Sequence, residues 1–141
     1  MLKISTRGQY ALMTMEVLAE QQDDSYVPMN KISHKQNLSV KYLEQILIQL
    51  SKAGLVEGLR GNNGGYRLVK KPFQYTAGEI LRVMEGDLSP RGNADEKAVK
   101  SAGNEAFWTD FDKAINDFVD SVTLQQIVEK SHENNGYMFF I

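Results

Sequence analysis

Residues 37–70 read NLSVKYLEQILIQLSKAGLVEGLRGNNGGYRLVK, and this stretch decides the fold. Leu43, Ile46, Leu47 and Leu50 recur at i, i+3, i+4 and i+7, the spacing that lines one buried face of a helix over about Val40 to Ala53. Ser39 stands just before that helix, with a hydroxyl suited to the free N–H groups of its first turn. Gly54 follows it, where a left-handed stop is needed. The other face carries Lys41, Tyr42, Glu44, Gln45 and Gln49. Two strand-like runs come next, Leu55 to Arg60 and Tyr66 to Lys70. The residues between them, Gly61-Asn62-Asn63-Gly64-Gly65, tolerate positive φ, so the spacing predicts a hairpin. A phosphate-cradling loop is a poor alternative, because the glycine run neither matches a Walker pattern nor opens a helix.

Upstream, Tyr10, Met13 and Val17, flanked by Leu12 and Met15, follow helical spacing from Ser5 to about Glu20. Gln21 to Ser25 is a polar loop, and Pro28 suits the first position of a short second helix that ends near Gln36. Asn37-Leu38-Ser39 is then a tight turn. Helix, turn, capped helix and hairpin in this order make a winged helix-turn-helix, a mainly α fold with a small β-hairpin. In that arrangement the second helix enters the major groove of DNA and the hairpin reaches the backbone or minor groove. Arg60 at the wing root suits a narrow minor groove. Lys3, Arg7, Lys41, Arg67, Lys70 and Lys71 suit sequence-independent phosphate contacts. The competing reading makes these solvated charges on a protein-interaction module that never binds DNA.

Downstream, Thr76-Ala77-Gly78-Glu79 has the form of a capping box for a fourth helix ending at Gly86. Residues 87–103 are polar and aperiodic, and are expected to form a flexible linker. Residues 104–122 carry Trp108, Phe111, Ile115, Phe118 and Val122 at steps of three and four, close to a heptad seam. This is expected to be a long dimerisation helix; the plainer alternative is packing on its own domain. Thr123 to Gln126 offers a further capping box for a short final helix, and the chain closes on the apolar Tyr137 to Ile141. The expected division is therefore a DNA-binding domain at 1–86, a linker at 87–103, and a dimerisation helix with a C-terminal tail at 104–141.

Composition limits the chemistry. The 141 residues carry a net charge of −2, but residues 1–86 hold eleven Lys and Arg against eight Asp and Glu, while residues 87–141 hold five against ten. The basic excess lies on the half that carries the helix-turn-helix. There is no cysteine, so disulfides, thiolate nucleophiles and cysteine-ligated metals are excluded. His34 and His132 are far apart and suit surface or capping positions. No nucleophile–base pair, metal constellation or cofactor fingerprint is present, so neither an enzyme nor a cofactor is expected. No apolar run approaches the roughly 18 residues of a membrane span, and the N-terminus lacks a secretory pattern, which predicts a cytoplasmic protein.

Residues 3–11 (KISTRGQYA), 38–45 (LSVKYLEQ), 53–56 (AGLV), 60–68 (RGNNGGYRL) and 76–80 (TAGEI) resemble the Rrf2 family of bacterial transcription regulators. The resemblance implies that Lys41, Glu44 and Gln45 contact bases or backbone and that Arg60 enters the minor groove. Ser39 and Tyr42 on the helix, Gly61, Asn62, Gly64 and Arg67 on the wing, and Lys3 and Arg7 complete the expected DNA-contacting set. Cluster-binding members of the family carry three cysteines in the segment matching residues 87–103; this chain has none, which excludes iron–sulfur and cluster-based nitric-oxide sensing. What remains resembles the cysteine-metabolism repressors of the family, whose C-terminal Gly-Tyr-Met-Phe pattern is similar to Gly136-Tyr137-Met138-Phe139. The implied function is repression by a homodimer on an imperfect palindromic operator. Cysteine synthase is an implied partner, with Ile141 as the contact. A family member that senses a small molecule in its dimer cleft is the alternative.

Overall fold

The computed structural model describes residues 3–91, 97 and 99–138. Helices α1 (Thr6–Ala19), α2 (Met29–Gln36) and α3 (Val40–Lys52) precede an antiparallel pair, β1 (Val56–Leu59) and β2 (Gly65–Leu68). A short 3-10 turn at Pro72–Gln74 leads into α4 (Ala77–Glu85), α5 (Ala102–Ser121) and α6 (Leu124–Met138). The expected mainly α fold with one small hairpin is what forms.

Local chemistry explains the element ends. The Ser5, Ser39, Thr76 and Ser101 hydroxyls accept from the backbone N–H groups of Gly8 (3.0 Å), Tyr42 (3.1 Å), Glu79 (3.1 Å) and Asn104 (3.2 Å). Each satisfies a donor that the helix leaves free. α2 stops on Asn37 in the left-handed conformation, with φ of 53°, a state that asparagine tolerates better than most side chains. The turn into α3 starts there.

The core is one cluster. Ala11, Met15 and Leu18 of α1, Ile32 of α2, Ile80 of α4 and Leu124 of α6 surround the α3 stripe Leu43, Ile46, Leu47 and Leu50, all four of which are fully buried. The face that α1 buries differs from the one its apolar spacing suggests: Met13 is exposed, while Thr14 is fully buried. Thr14 is accommodated because its hydroxyl donates to the Tyr10 carbonyl at 2.8 Å and accepts from the Gln36 amide at 2.8 Å. A hydrogen-bonded hydroxyl packs where an unpartnered one would be costly.

The hairpin pairs Val56 with Leu68, Glu57 with Arg67, Gly58 with Tyr66, and Leu59 with Gly65. Val27 adds a one-residue rung, exchanging backbone hydrogen bonds with Tyr66 at 2.8 and 3.0 Å. The approach is so close that a Cβ on Gly65 would lie 2.0 Å from the Val27 carbonyl oxygen, and Gly65 itself has φ of 149°. Only glycine fits there. Tyr75 locks the base of the wing: fully buried, it donates from its hydroxyl to the Leu55 carbonyl at 2.6 Å and accepts from the Val69 and Lys70 N–H groups at 3.0 and 2.9 Å.

The final helix is longer than the short one expected, and it packs back on α1, with Leu124 and Val128 buried. Backbone bonds from Ala77 to the Val122 carbonyl (2.8 Å) and from Leu124 to the Tyr75 carbonyl (3.0 Å) tie its start to the winged domain. Within 87–103, Leu88 is buried and Arg91 grips Glu105 through two bonds of 2.6 and 2.9 Å; residues 92–96 and 98 lie outside the described residues.

Candidate nucleic-acid interface

α3 turns its apolar stripe into the core, which leaves Lys41, Glu44 and Gln45 exposed on the opposite side. Arg7, reaching over from α1, steadies that side: its guanidinium donates to Gln49 and Gln45 side-chain oxygens at 3.2 Å each and lies 5.9 Å from the centre of the Tyr42 ring. Tyr42 in turn meets Tyr10 edge to face at 5.9 Å. Tyr42 is thus half-buried and positions the helix, and the Ser39 hydroxyl is occupied by its cap. A rigid helix face of this kind presents polar groups at fixed spacing, which is what recognition of base edges requires.

Between α3 and the wing lies an open cleft of about 740 Å³, lined by Val40, Glu44, Ile48, Leu59, Arg60 and Gly61 among others. Asn62 and Gly64 also line it, so the expected wing-tip residues and the recognition-helix carboxylate are brought to one groove. Arg60 is exposed at the end of β1, and the tip turns on Gly61, with φ of 111° and a Gly64 N–H to Gly61 carbonyl bond of 3.0 Å.

Of the expected contacts, Lys3, Arg7, Ser39, Lys41, Tyr42, Gln45 and Arg67 do not line that groove. Arg67 faces a second cleft with Asp24 and Glu57; it bonds to Glu57 at 2.6 Å and to the Asp24 carbonyl at 2.7 Å, and lies 4.3 Å from the centre of the Tyr26 ring. The Glu57 hydrogen bond holds its guanidinium pKa above the usual arginine value. Its neighbours make it a brace of the wing, because the strand alternates faces and Arg67 sits one residue from groove-lining Tyr66. Lys3 lines a third cleft, beside Leu81, Leu88, Ile115 and Val119. Lys70 pairs with Glu79 at 3.3 Å and lies over the Tyr75 ring.

α5 docks on α4 by one edge. Arg82 bonds to both Asp120 oxygens at 2.6 and 3.0 Å and to Asn116 at 2.7 Å, and a Cβ on Gly78 would lie 2.2 Å from Asp120. None of the 20 residues of α5 is buried. Of the expected seam, Trp108, Phe111, Ile115 and Val122 are half-buried and Phe118 is 66% exposed. Phe107, 54% exposed and stacked on Phe111 at 5.9 Å, belongs to the same aromatic face. Sequence reasoning missed it, although its position four residues before Phe111 is the signal. It also missed Ile48, the apolar break in the polar face of α3. Ile141, the expected partner contact, lies outside the described residues.

This is the architecture of a winged-helix DNA-binding regulator. The family model for Rrf2, described as an iron-dependent transcriptional regulator, matches residues 4–130. The chain is 38% identical to the HTH-type transcriptional regulator CymR of Bacillus subtilis, over 99% of this chain and all of that one. The solved structure of that protein, the global cysteine regulator of B. subtilis, superposes with a TM-score of 0.83 over 92% of this chain and 98% of that chain. Staphylococcus aureus CymR superposes with a TM-score of 0.73 at 32% identity, over 89% of this chain and 97% of that chain. The chain belongs to the Rrf2 family, and it resembles the CymR proteins within it.

The iron of the family description does not fit the donors present. The chain has no cysteine, and among the described residues no three His, Asp or Glu side chains are grouped to hold a metal ion. The described residues likewise include no helix long and apolar enough to cross a membrane.

Proposed function

We propose that this regulator is a homodimeric repressor that occupies an imperfect palindromic operator and controls genes of cysteine and sulfur metabolism. The observation that carries the DNA-binding part is the shared groove, where Glu44 of α3 and Arg60, Gly61 and Asn62 of the wing line one open cleft. In use, α3 lies in the major groove with Lys41, Glu44 and Gln45 toward the base edges, while Arg60 enters the flanking minor groove. Repression follows from occupancy: a dimer seated across a promoter excludes polymerase, and no catalytic step is required. Dimerisation is supported by α5, which buries no residue among the described ones and leaves Phe107 and Phe118 exposed. The sulfur assignment rests on similarity to CymR of B. subtilis. The cysteine synthase partnership rests on the resemblance at the C-terminus alone; deleting Ile141 and measuring enzyme binding by calorimetry tests it, and undiminished affinity would exclude the isoleucine contact.

A second reading, regulation by a small ligand, is favoured by the cleft of about 410 Å³ between α4 and α5, where Leu81, Leu88, Ile115 and Val119 form apolar walls. That is a volume suited to a small organic molecule. Mobility shifts with fragments of the host genome test the main reading. Retardation of a small set of fragments is expected, upstream of sulfur-metabolism genes. Equal retardation of all fragments, or none, overturns it.

A further inference from the structure

At about 100° per residue, the exposed side of α3 centres on Ile48. Ile48 lies about 20° around the helix from Lys41, about 40° from Glu44 and about 60° from Gln45, and about 150° from the middle of the buried stripe. It is 41% exposed and lines the cleft beside Leu59, which is 50% exposed. The core does not use it: Leu43, Ile46, Leu47 and Leu50 already fill the buried face. A β-branched hydrocarbon thus stands among Lys41, Glu44 and Gln45, with exposed Val40 at the N-terminal edge of the same side. Its χ1 freedom is small, so it is held ready without a further loss of entropy.

We infer that Ile48 is a specificity-determining residue that reads the C5-methyl group of a thymine in the major groove. The inference rests on the DNA-binding reading above. Among the four base-pair edges in the major groove, only thymine offers an apolar group; the others offer donors and acceptors that isoleucine cannot satisfy. A phosphate is also a poor neighbour, because desolvating it against hydrocarbon gains nothing. Ile48 stands four residues beyond Glu44, about 6 Å along the axis. With base pairs about 3.4 Å apart, the thymine lies one or two steps from the base that faces Glu44.

The test uses the full chain and the duplex it enriches from a random pool. Each thymine of that duplex is replaced singly by deoxyuridine, which removes the methyl and leaves every hydrogen-bonding group. The unaltered protein should lose about threefold to fivefold in affinity at one thymine per half-site, the effect of one buried methyl, and little elsewhere. Ile48→Ala should bind the thymine and uracil duplexes equally at that position while keeping its sensitivity to Arg60-dependent contacts. An enriched duplex that tolerates every uracil, or an Ile48→Ala protein as sensitive to uracil as the parent, overturns the inference while leaving DNA binding intact. A pool from which nothing is enriched overturns the DNA-binding reading, and the inference with it.

Discussion

Two side chains separate what is local from what is tertiary at the scale of single residues. Ser39 caps α3 through a bond to a group three residues away, and Gly54, with φ of 79°, ends the same helix; both roles are written in neighbouring sequence. Tyr75 is the opposite case. Its hydroxyl gathers a carbonyl 20 residues upstream and two N–H groups of the chain just before it, and no pattern in its own neighbourhood announces this. Tyr75→Phe should therefore cost about 1–3 kcal/mol of stability, since it takes the acceptor from the Lys70 N–H and leaves the Leu55 carbonyl and Val69 N–H only their mutual 3.4 Å bond. Urea unfolding would measure that, and an unchanged midpoint would show that other groups or water take over. Arg67 was legible as a wing cation, but not as one already paired with Glu57, because the pairing depends on strand register. Arg60, by contrast, stays exposed, and Arg60→Ala should weaken specific binding by about 1–3 kcal/mol and random DNA much less. Titration of both duplexes by fluorescence anisotropy distinguishes these; equal losses on the two would remove Arg60 from readout.

Among elements, periodicity located the helices better than it oriented them. α3 has a strong apolar stripe, and its buried face is the one the spacing marks. α1 is weakly amphipathic, and the buried Thr14–Gln36 hydrogen bond turns its face in a way that apolar spacing does not record. For α5 the stripe divides: Ile115 and Val119 line the cleft against α4, while Phe107 and Phe118 point outward. Phe107→Asp with Phe118→Asp should thus yield a folded monomer in sedimentation equilibrium, with weak operator affinity. A persisting dimer would move the seam elsewhere. The docking of α5 should also respond to acid. The Arg82 hydrogen bonds hold the Asp120 carboxyl below the ordinary aspartate value. A lowered folded-state pKa means the carboxylate favours docking at pH above its unfolded value. That contribution fades as pH falls from about 4 through the lower folded value. Both groups are partly exposed, so the effect is small and screened. Trp108 fluorescence followed down from neutral pH should report it, and Arg82→Ala should remove the Asp120 part of the transition while leaving that of the Arg91–Glu105 pair.

The whole molecule explains why a net acidic chain can serve on DNA. The basic excess is confined to residues 1–86 and the acidic excess to residues 87–141, and the residues lining the groove all belong to the first of these. That asymmetry was legible without coordinates. The return of α6 onto α1 was not, because it depends on Leu124 finding the same core as Leu43 and Ile80. A two-fold dimer carrying one α3 and one wing per chain requires an operator whose half-sites lie on one face of the duplex. Hydroxyl-radical footprinting of the full-length protein on its enriched duplex therefore tests the central claim most directly. Two symmetric protected stretches are expected, their centres about one helical turn or a whole multiple apart. A single protected stretch, or protection no greater than on random DNA, would contradict the account of this chain as a dimeric, sequence-specific repressor.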